Sequence, residues 1–171
     1  MDKKLKKYIK ENYIKPKKYR KRLFNFFNID RRIQEDYSTL EKISLRRCEP
    51  NCNFEDKLQE TFVQYLFKII DVKGLKDSDV YKKANIDRKL FSKIRSNINY
   101  SPSKNTLLAL AIGLELNLDE TKLFLEKAGY ALSRSILTDV IVEYYIINKS
   151  YNIFKINETI YDYKLQPLGS I

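Results

Sequence analysis

The chain has 171 residues, 43% of them hydrophobic, which is enough to bury the core of one ordinary domain or of a small domain with an extension. Only four glycines and four prolines are present, which disfavours an all-β chain built on tight turns and favours an all-α fold. Without histidine there is no histidine general base, no serine–histidine or cysteine–histidine pair and no imidazole metal ligand. We therefore expect a protein that is not an enzyme and that uses no cofactor, metal or small-molecule ligand.

The net charge of +11 favours a polyanionic partner, either nucleic acid or an acidic protein or membrane surface. Residues 1–53 hold 16 basic and 7 acidic side chains, whereas residues 54–171 hold 17 and 15. We expect residues 1–53 to be a basic N-terminal extension with a short helix before Pro16. A basic arm that neutralises backbone phosphates is predicted around Pro16, and a solvated tail is the alternative. The arm residues are Lys15, Lys17, Lys18, Arg20, Lys21 and Arg22.

Residues 23–47 carry apolar side chains at helical spacing, which predicts one or two short helices. Cys48 and Cys52 follow, on either side of Pro50. Two thiols without a histidine fall short of the four ligands of a structural zinc site, so ordinary thiols in a linker are predicted. The N-terminus lacks the apolar run of a secretory signal, and no apolar stretch is long enough to span a membrane, so a cytoplasmic location is expected.

Residues 54–132 are predicted to be the main domain, with helices over 57–73, 77–83, 88–97, 104–116 and 120–128. Gly74 is expected to end the first helix, and Asn85 to form the turn before the third, because asparagine tolerates the left-handed conformation. Asp87 is predicted to cap the third helix and Ser103 the fourth. The fourth helix is apolar nearly all round, so we expect it at the buried centre of the domain.

Residues 133–171 are predicted to form a C-terminal helical extension. The stretch 134–149 is apolar and β-branched; a strand is the alternative, but its length favours a helix buried on two sides. Residues 136–147 are also the predicted dimer contact. A last short helix is expected over 151–163, and Pro167 and Gly169 indicate a frayed end.

Five short sequence segments of the main domain are similar to segments found in one family of DNA-binding proteins. They are Lys73-Gly74-Leu75, Ala84-Asn85-Ile86-Asp87-Arg88, Phe91-Ser92-Lys93-Ile94, Pro102-Ser103 and Leu116-Asn117-Leu118-Asp119-Glu120. In these segments the chain resembles the lambda-repressor/Cro-like (XRE-type) helix-turn-helix family. A likeness to a bacterial subgroup with a C-terminal helical extension covers about residues 57–169. The resemblance implies a five-helix helix-turn-helix domain whose third helix, residues 88–97, enters the major groove of DNA.

By that resemblance, the DNA contacts lie on helix 88–97 and at the start of the next helix. They are Arg88, Lys89, Ser92, Lys93, Arg95 and Lys104. The chain departs from the family at Asp77, where glutamine is frequent, and Asp79 adds a second carboxylate that would repel a phosphate. Tyr81 replaces a small residue. Asp87, at the first recognition position, only accepts hydrogen bonds when ionised.

The function expected from the resemblance is a DNA-binding transcription regulator that acts as a homodimer on a pseudo-palindromic site. The alternative is a protein-interaction or inhibitor module, such as an anti-CRISPR or other anti-defence factor of a phage or mobile element. Such a module would use the fold as a scaffold and the basic N-terminus to engage a nucleoprotein complex. The acidic second helix and the long extension support this alternative, since fold alone does not decide function.

Overall fold

Helices make up all the regular secondary structure in residues 3–15 and 60–169, which are the residues that a computed structural model of the chain describes. The predicted all-α class is therefore confirmed for this part of the chain. None of its helices is both long and apolar enough to cross a lipid bilayer. In chain order the helices are α1 Lys3–Asn12, α2 Phe62–Val72, α3 Asp77–Lys83, α4 Arg88–Ser96, α5 Lys104–Gly113, α6 Leu118–Lys127, α7 Leu137–Ile147 and α8 Ile153–Asp162.

Helix α2 begins later than the apolar pattern predicts. Thr61 is its N-cap: the Thr61 hydroxyl accepts from the Gln64 amide at 3.3 Å, and the Gln64 side chain accepts from the Thr61 amide at 2.9 Å. This reciprocal capping box satisfies two amides that have no partner inside the helix, and it fixes the helix start. The predicted start at residue 57 is wrong for that reason.

The segment from α3 to α4 follows the sequence prediction closely. Asn85 has a φ of 51°, the left-handed conformation that was expected at the turn. The Asp87 carboxylate accepts the Lys89 amide at 2.6 Å and so caps α4, also as expected. Ala84, at the end of α3, lies against α5, where a Cβ on Gly113 would come within 2.8 Å of the Ala84 Cβ. The turn between α3 and α4 is therefore held by close packing against the central helix.

Helix α5 is the buried centre that the sequence predicts. Every residue from Thr106 to Gly113 is buried, and α5 contacts α3, α6 and α8. Ser103 caps the helix as predicted, accepting from the Thr106 amide at 3.3 Å. The helix is shorter than expected, because it ends at Gly113 and Glu115 then turns the chain with a φ of 54°.

Helix α7 is buried inside the chain rather than left open for a partner. The strand alternative for this segment is wrong, because residues 137–147 are helical. Seven of its eleven residues are buried, and it packs against α1, α6 and α8. The apolar face that suggested a dimer contact at 136–147 is therefore already covered, and only the terminal Ile136 and Ile147 are largely exposed.

Helix α1 packs on α7 and belongs to the same compact unit as residues 60–169. Leu5 is 1% exposed, and the Tyr8 and Tyr144 rings lie 5.3 Å apart. Burial, followed by the negative charge of Glu143 on α7, raises the pKa of the Tyr8 phenol. The helix expected before Pro16 is confirmed, but it is docked on the C-terminal helices. The boundary predicted at residue 53 lies outside the described residues.

The segment after α8 is docked, so the predicted frayed end at Pro167 and Gly169 is wrong. Leu168 is fully buried, and its backbone exchanges two hydrogen bonds with the Asn157 side chain, at 2.8 and 3.1 Å. Gly169 has a φ of 85° and lies against the Asn85 carbonyl. The C-terminal segment therefore closes over the turn between α3 and α4.

Replacing Gly169 by alanine tests this closure. The new Cβ would lie 2.4 Å from the Asn85 oxygen, on a backbone that alanine already disfavours. We expect the free energy of unfolding to fall by about 2–5 kcal/mol, the sum of roughly 1–2 for the left-handed backbone and 1–3 for the overlap. Urea denaturation measures it. Gly129→Ala is the matched control, since Gly129 has a φ of 76° and nothing near its Cβ; equal losses in both variants would show that the contact contributes nothing.

Candidate nucleic-acid interface

Four of the six residues expected to contact DNA form an exposed row on the outer face of α4. Phe91 is 3% exposed and Ile94 is fully buried, and these two fix which side of the helix faces inward. The opposite side presents Arg88, Lys89, Ser92 and Lys93 to solvent. The apolar spacing of the sequence is therefore sufficient to place these four side chains.

Arg88 and Lys89 stand in the first turn of α4 and make no ion pair within residues 3–15 and 60–169. The Asp87 carboxylate accepts the Lys89 amide as a cap, which accounts for an acidic residue at this position. Lys93 lies over the Tyr100 ring at 5.1 Å from its centre, a cation–π contact that fixes the lysine along the helix. The start of α4 thus offers two cations with no competing internal partner in the described chain.

Arg95 differs from the other residues of this face because its guanidinium makes an ion pair with another helix, although 55% of its side chain is exposed. Its Nε lies 2.8 Å and its Nη2 3.0 Å from the two carboxylate oxygens of Asp77, a two-point contact. The guanidinium also lies 4.4 Å from the centre of the Phe67 ring. The Arg95 side chain thus links α2, α3 and α4, and the phosphate contact expected of it stays a prediction.

Lys104 lies apart from the α4 row. Its ammonium pairs with the Asp139 carboxylate, and only 19% of the lysine side chain and 2% of the aspartate side chain are exposed. Asp139 also accepts the Ser133 amide at 2.7 Å. This arrangement joins the start of α5 to α7, and the phosphate contact expected of Lys104 stays a prediction.

Lys15 is the one basic-arm residue that the structure describes, and its side chain is exposed. The rest of the predicted arm, and both cysteines, lie outside the described residues. They are Lys17, Lys18, Arg20, Lys21, Arg22, Cys48 and Cys52.

The lysines of α1 belong to the basic stretch seen in the sequence, but they are not among the residues named for the arm. Lys6 and Lys10 are one helical turn apart and exposed, whereas Leu5 and Ile9 face the core. In the sequence, apolar residues and lysines alternate at helical spacing before Pro16, and this pattern predicts a helix with one lysine-rich face. The docked helix α1 therefore fixes part of the positive charge on the surface of the folded unit.

Within the described residues, no group of three or more cysteine, aspartate and glutamate side chains is placed to hold a metal ion. Comparison of the chain with protein-family models, curated proteins and solved structures gives no match. The functional interpretation therefore depends on the geometry of α4 and on the distribution of charge.

Proposed function

We propose that the chain is a DNA-binding protein in which α2 to α6 form a lambda-repressor/Cro-like helix-turn-helix domain and α4 reads the major groove. The observation that carries the proposal is the first turn of α4. It holds Arg88 and Lys89 exposed and without an ion-pair partner in the described chain, at the end of the helix that such domains insert into DNA. Arginine pairs with guanine N7 and O6, and lysine with the same acceptors or a phosphate.

The pairing of Asp77 with Arg95 supports this proposal. In the sequence, Asp77 argues against DNA binding, since a carboxylate at the start of α3 repels the DNA backbone. The Arg95 guanidinium meets both of its oxygens, so the local charge of the pair is near zero. Asp79 stays exposed and makes a hydrogen bond with Ser78 at 3.2 Å. The acidic start of α3 is therefore half neutralised by α4 itself.

Arg95→Ala is expected to weaken DNA affinity by about fivefold without Arg95 touching DNA. The Asp77 carboxylate would be left unpaired in the groove that it shares with Arg88, at an electrostatic cost of about 1 kcal/mol. Asp77→Asn combined with Arg95→Ala restores affinity, since no charge remains. Fluorescence anisotropy with a duplex measures both. If Arg95→Ala weakens binding equally with and without Asp77, the arginine contacts DNA directly and this account is wrong.

The regulator is proposed to act as a homodimer on half-sites about one helical turn, roughly 34–36 Å, apart. Helix α7 is covered within the chain, so such a dimer needs a different surface. Light scattering at tens of micromolar measures the oligomeric state, and a monomer under these conditions counts against half-site reading.

The experiment that tests the DNA-binding proposal is selection of duplexes from a random library by the full chain, followed by a salt series on the enriched sequence. Enrichment of a defined motif, with tighter binding than to random duplex at every salt concentration, supports reading by α4. Binding that falls with salt for all sequences alike, with no motif enriched, would show purely electrostatic attachment and contradict the proposal.

The second candidate function is the protein-interaction or inhibitor module. The observation that favours it is the charge of α1, because residues 3–12 hold five lysines and one glutamate on a helix separate from α4. A chain that captures a nucleoprotein complex through α1 would bind without motif enrichment. It would also keep its binding when Arg88 and Lys89 are replaced.

A further inference from the structure

A groove lies between α1, the start of α7 and the end of α8. Its volume is 710 Å³ and it is open to solvent. Lys6, Lys10 and Lys15 line it, together with the half-buried tyrosines Tyr13 and Tyr163. Its remaining lining is apolar, from Ile9 and Leu137. Three cations beside two aromatic rings over an apolar floor distinguish this groove from an ordinary solvated lysine face.

The groove is built on a fixed helix. Leu5 anchors α1 in the core, and the Ile14 amide donates to the Arg134 carbonyl at 2.9 Å just before α7. The backbone is thus held at both ends of the lysine row. Because the helix is already ordered, positioning its lysines costs less conformational entropy on binding than ordering a flexible tail would.

The lysines of the groove have little internal competition. Lys6, Lys10 and Lys15 make no salt bridge within the described residues, whereas Lys7 lies 4.0 Å from Glu11. The acidic neighbours in sequence are Glu11 on α1 and Asp162 beside Tyr163, and both are exposed. The groove therefore keeps an excess of positive charge available to a polyanion.

From this geometry we infer that the groove binds an unpaired nucleic-acid strand. Lys6, Lys10 and Lys15 contact its phosphates, and Tyr13 and Tyr163 contact its bases. Aromatic faces stack on unpaired bases whatever their sequence, whereas the bases of a duplex are stacked on each other and their faces are closed to such contact. This site goes beyond the proposed function, since it uses neither α4 nor a defined duplex sequence.

The test measures binding of the full chain to a fluorescent 12-residue oligothymidine across a salt series. Lys6→Ala, Lys10→Ala and Lys15→Ala together are expected to weaken binding at least tenfold and to reduce the salt slope by about 2, at roughly 0.7 per single-strand phosphate contact. The control variant is Lys68→Ala, Lys122→Ala and Lys155→Ala, which removes the same charge from exposed positions outside the groove. Equal weakening in the two triple variants overturns the inference.

Two further measurements separate stacking from charge. Tyr13→Ser is expected to weaken oligothymidine binding about tenfold, and Tyr13→Phe to preserve it, because phenylalanine keeps the ring. Tighter binding of a 12-base-pair duplex through the same three lysines, or equal competition by poly-glutamate, overturns the assignment to an unpaired strand. Arg88→Ala with Lys89→Ala is expected to lower oligothymidine binding no more than Lys68→Ala with Lys122→Ala does, so failure of this site and failure of the α4 proposal are distinguishable.

Discussion

Replacing Lys104 by methionine is expected to lower the free energy of unfolding by about 3–5 kcal/mol. Asp139 is 2% exposed, and the Lys104 ammonium is its charged partner. Without that ammonium, the buried carboxyl group loses its compensating charge, although methionine fills most of the lysine volume. Urea denaturation followed by circular dichroism measures the loss.

The double variant Lys104→Met with Asp139→Asn is expected to recover much of this stability. A neutral amide needs no counter-charge, and its oxygen still accepts the Ser133 amide. Lys122→Met is the control, because the Lys122–Asp119 pair is exposed and such pairs contribute at most about 1 kcal/mol. A loss below 1 kcal/mol in Lys104→Met, or no recovery in the double variant, would contradict a structural role for this pair.

Replacing both Arg88 and Lys89 by alanine is expected to abolish sequence preference and to lower affinity for the selected duplex. A base contact of this kind is worth about 1–3 kcal/mol, which is roughly 5- to 150-fold in affinity for each side chain. Both side chains are exposed, so the fold is expected to keep its stability within about 0.5 kcal/mol. Anisotropy titrations with the selected and a scrambled duplex measure the change in preference.

The matched control for this variant is Lys68→Ala with Lys122→Ala, two exposed lysines on α2 and α6. It lowers the net charge by the same amount, so it reports on general electrostatic attraction alone. Affinity for both duplexes is expected to fall slightly and equally in the control. An α4 variant that behaves in the same way would show that Arg88 and Lys89 do not read bases.

Local signals were enough to predict α3 and the start of α4 correctly. The helix bounds, the left-handed Asn85 and the Asp87 cap all depend on interactions between residues a few positions apart. The start of α2 was missed, although Thr61 and Gln64 have the spacing of a capping box, because the apolar stripe continues back to Leu58. The helical pattern alone does not show where the backbone leaves the helix.

Sequence spacing did not predict the ion pairs that change the candidate site. Arg95 meets Asp77 across 18 positions, and Lys104 meets Asp139 across 35. A lysine in the first turn of a helix looks the same in the sequence whether its side chain faces solvent or a buried carboxylate. Only the packing of α5 against its neighbours separates the two outcomes. The six candidate residues are therefore unequal, since Arg88 and Lys89 are the two cations that make no ion pair or cation–π contact within the described residues.

The contact of Gly169 with Asn85 has a consequence for synthesis of the protein. The two residues are 84 positions apart, so a ribosome adding roughly 5–20 residues per second needs about 4–17 s to make the second after the first. Throughout that interval the nascent chain lacks the residue that closes over the turn between α3 and α4. Helices α5 to α8 are synthesised in the same interval. A pause in translation within that stretch prolongs the time for which this turn stays uncovered.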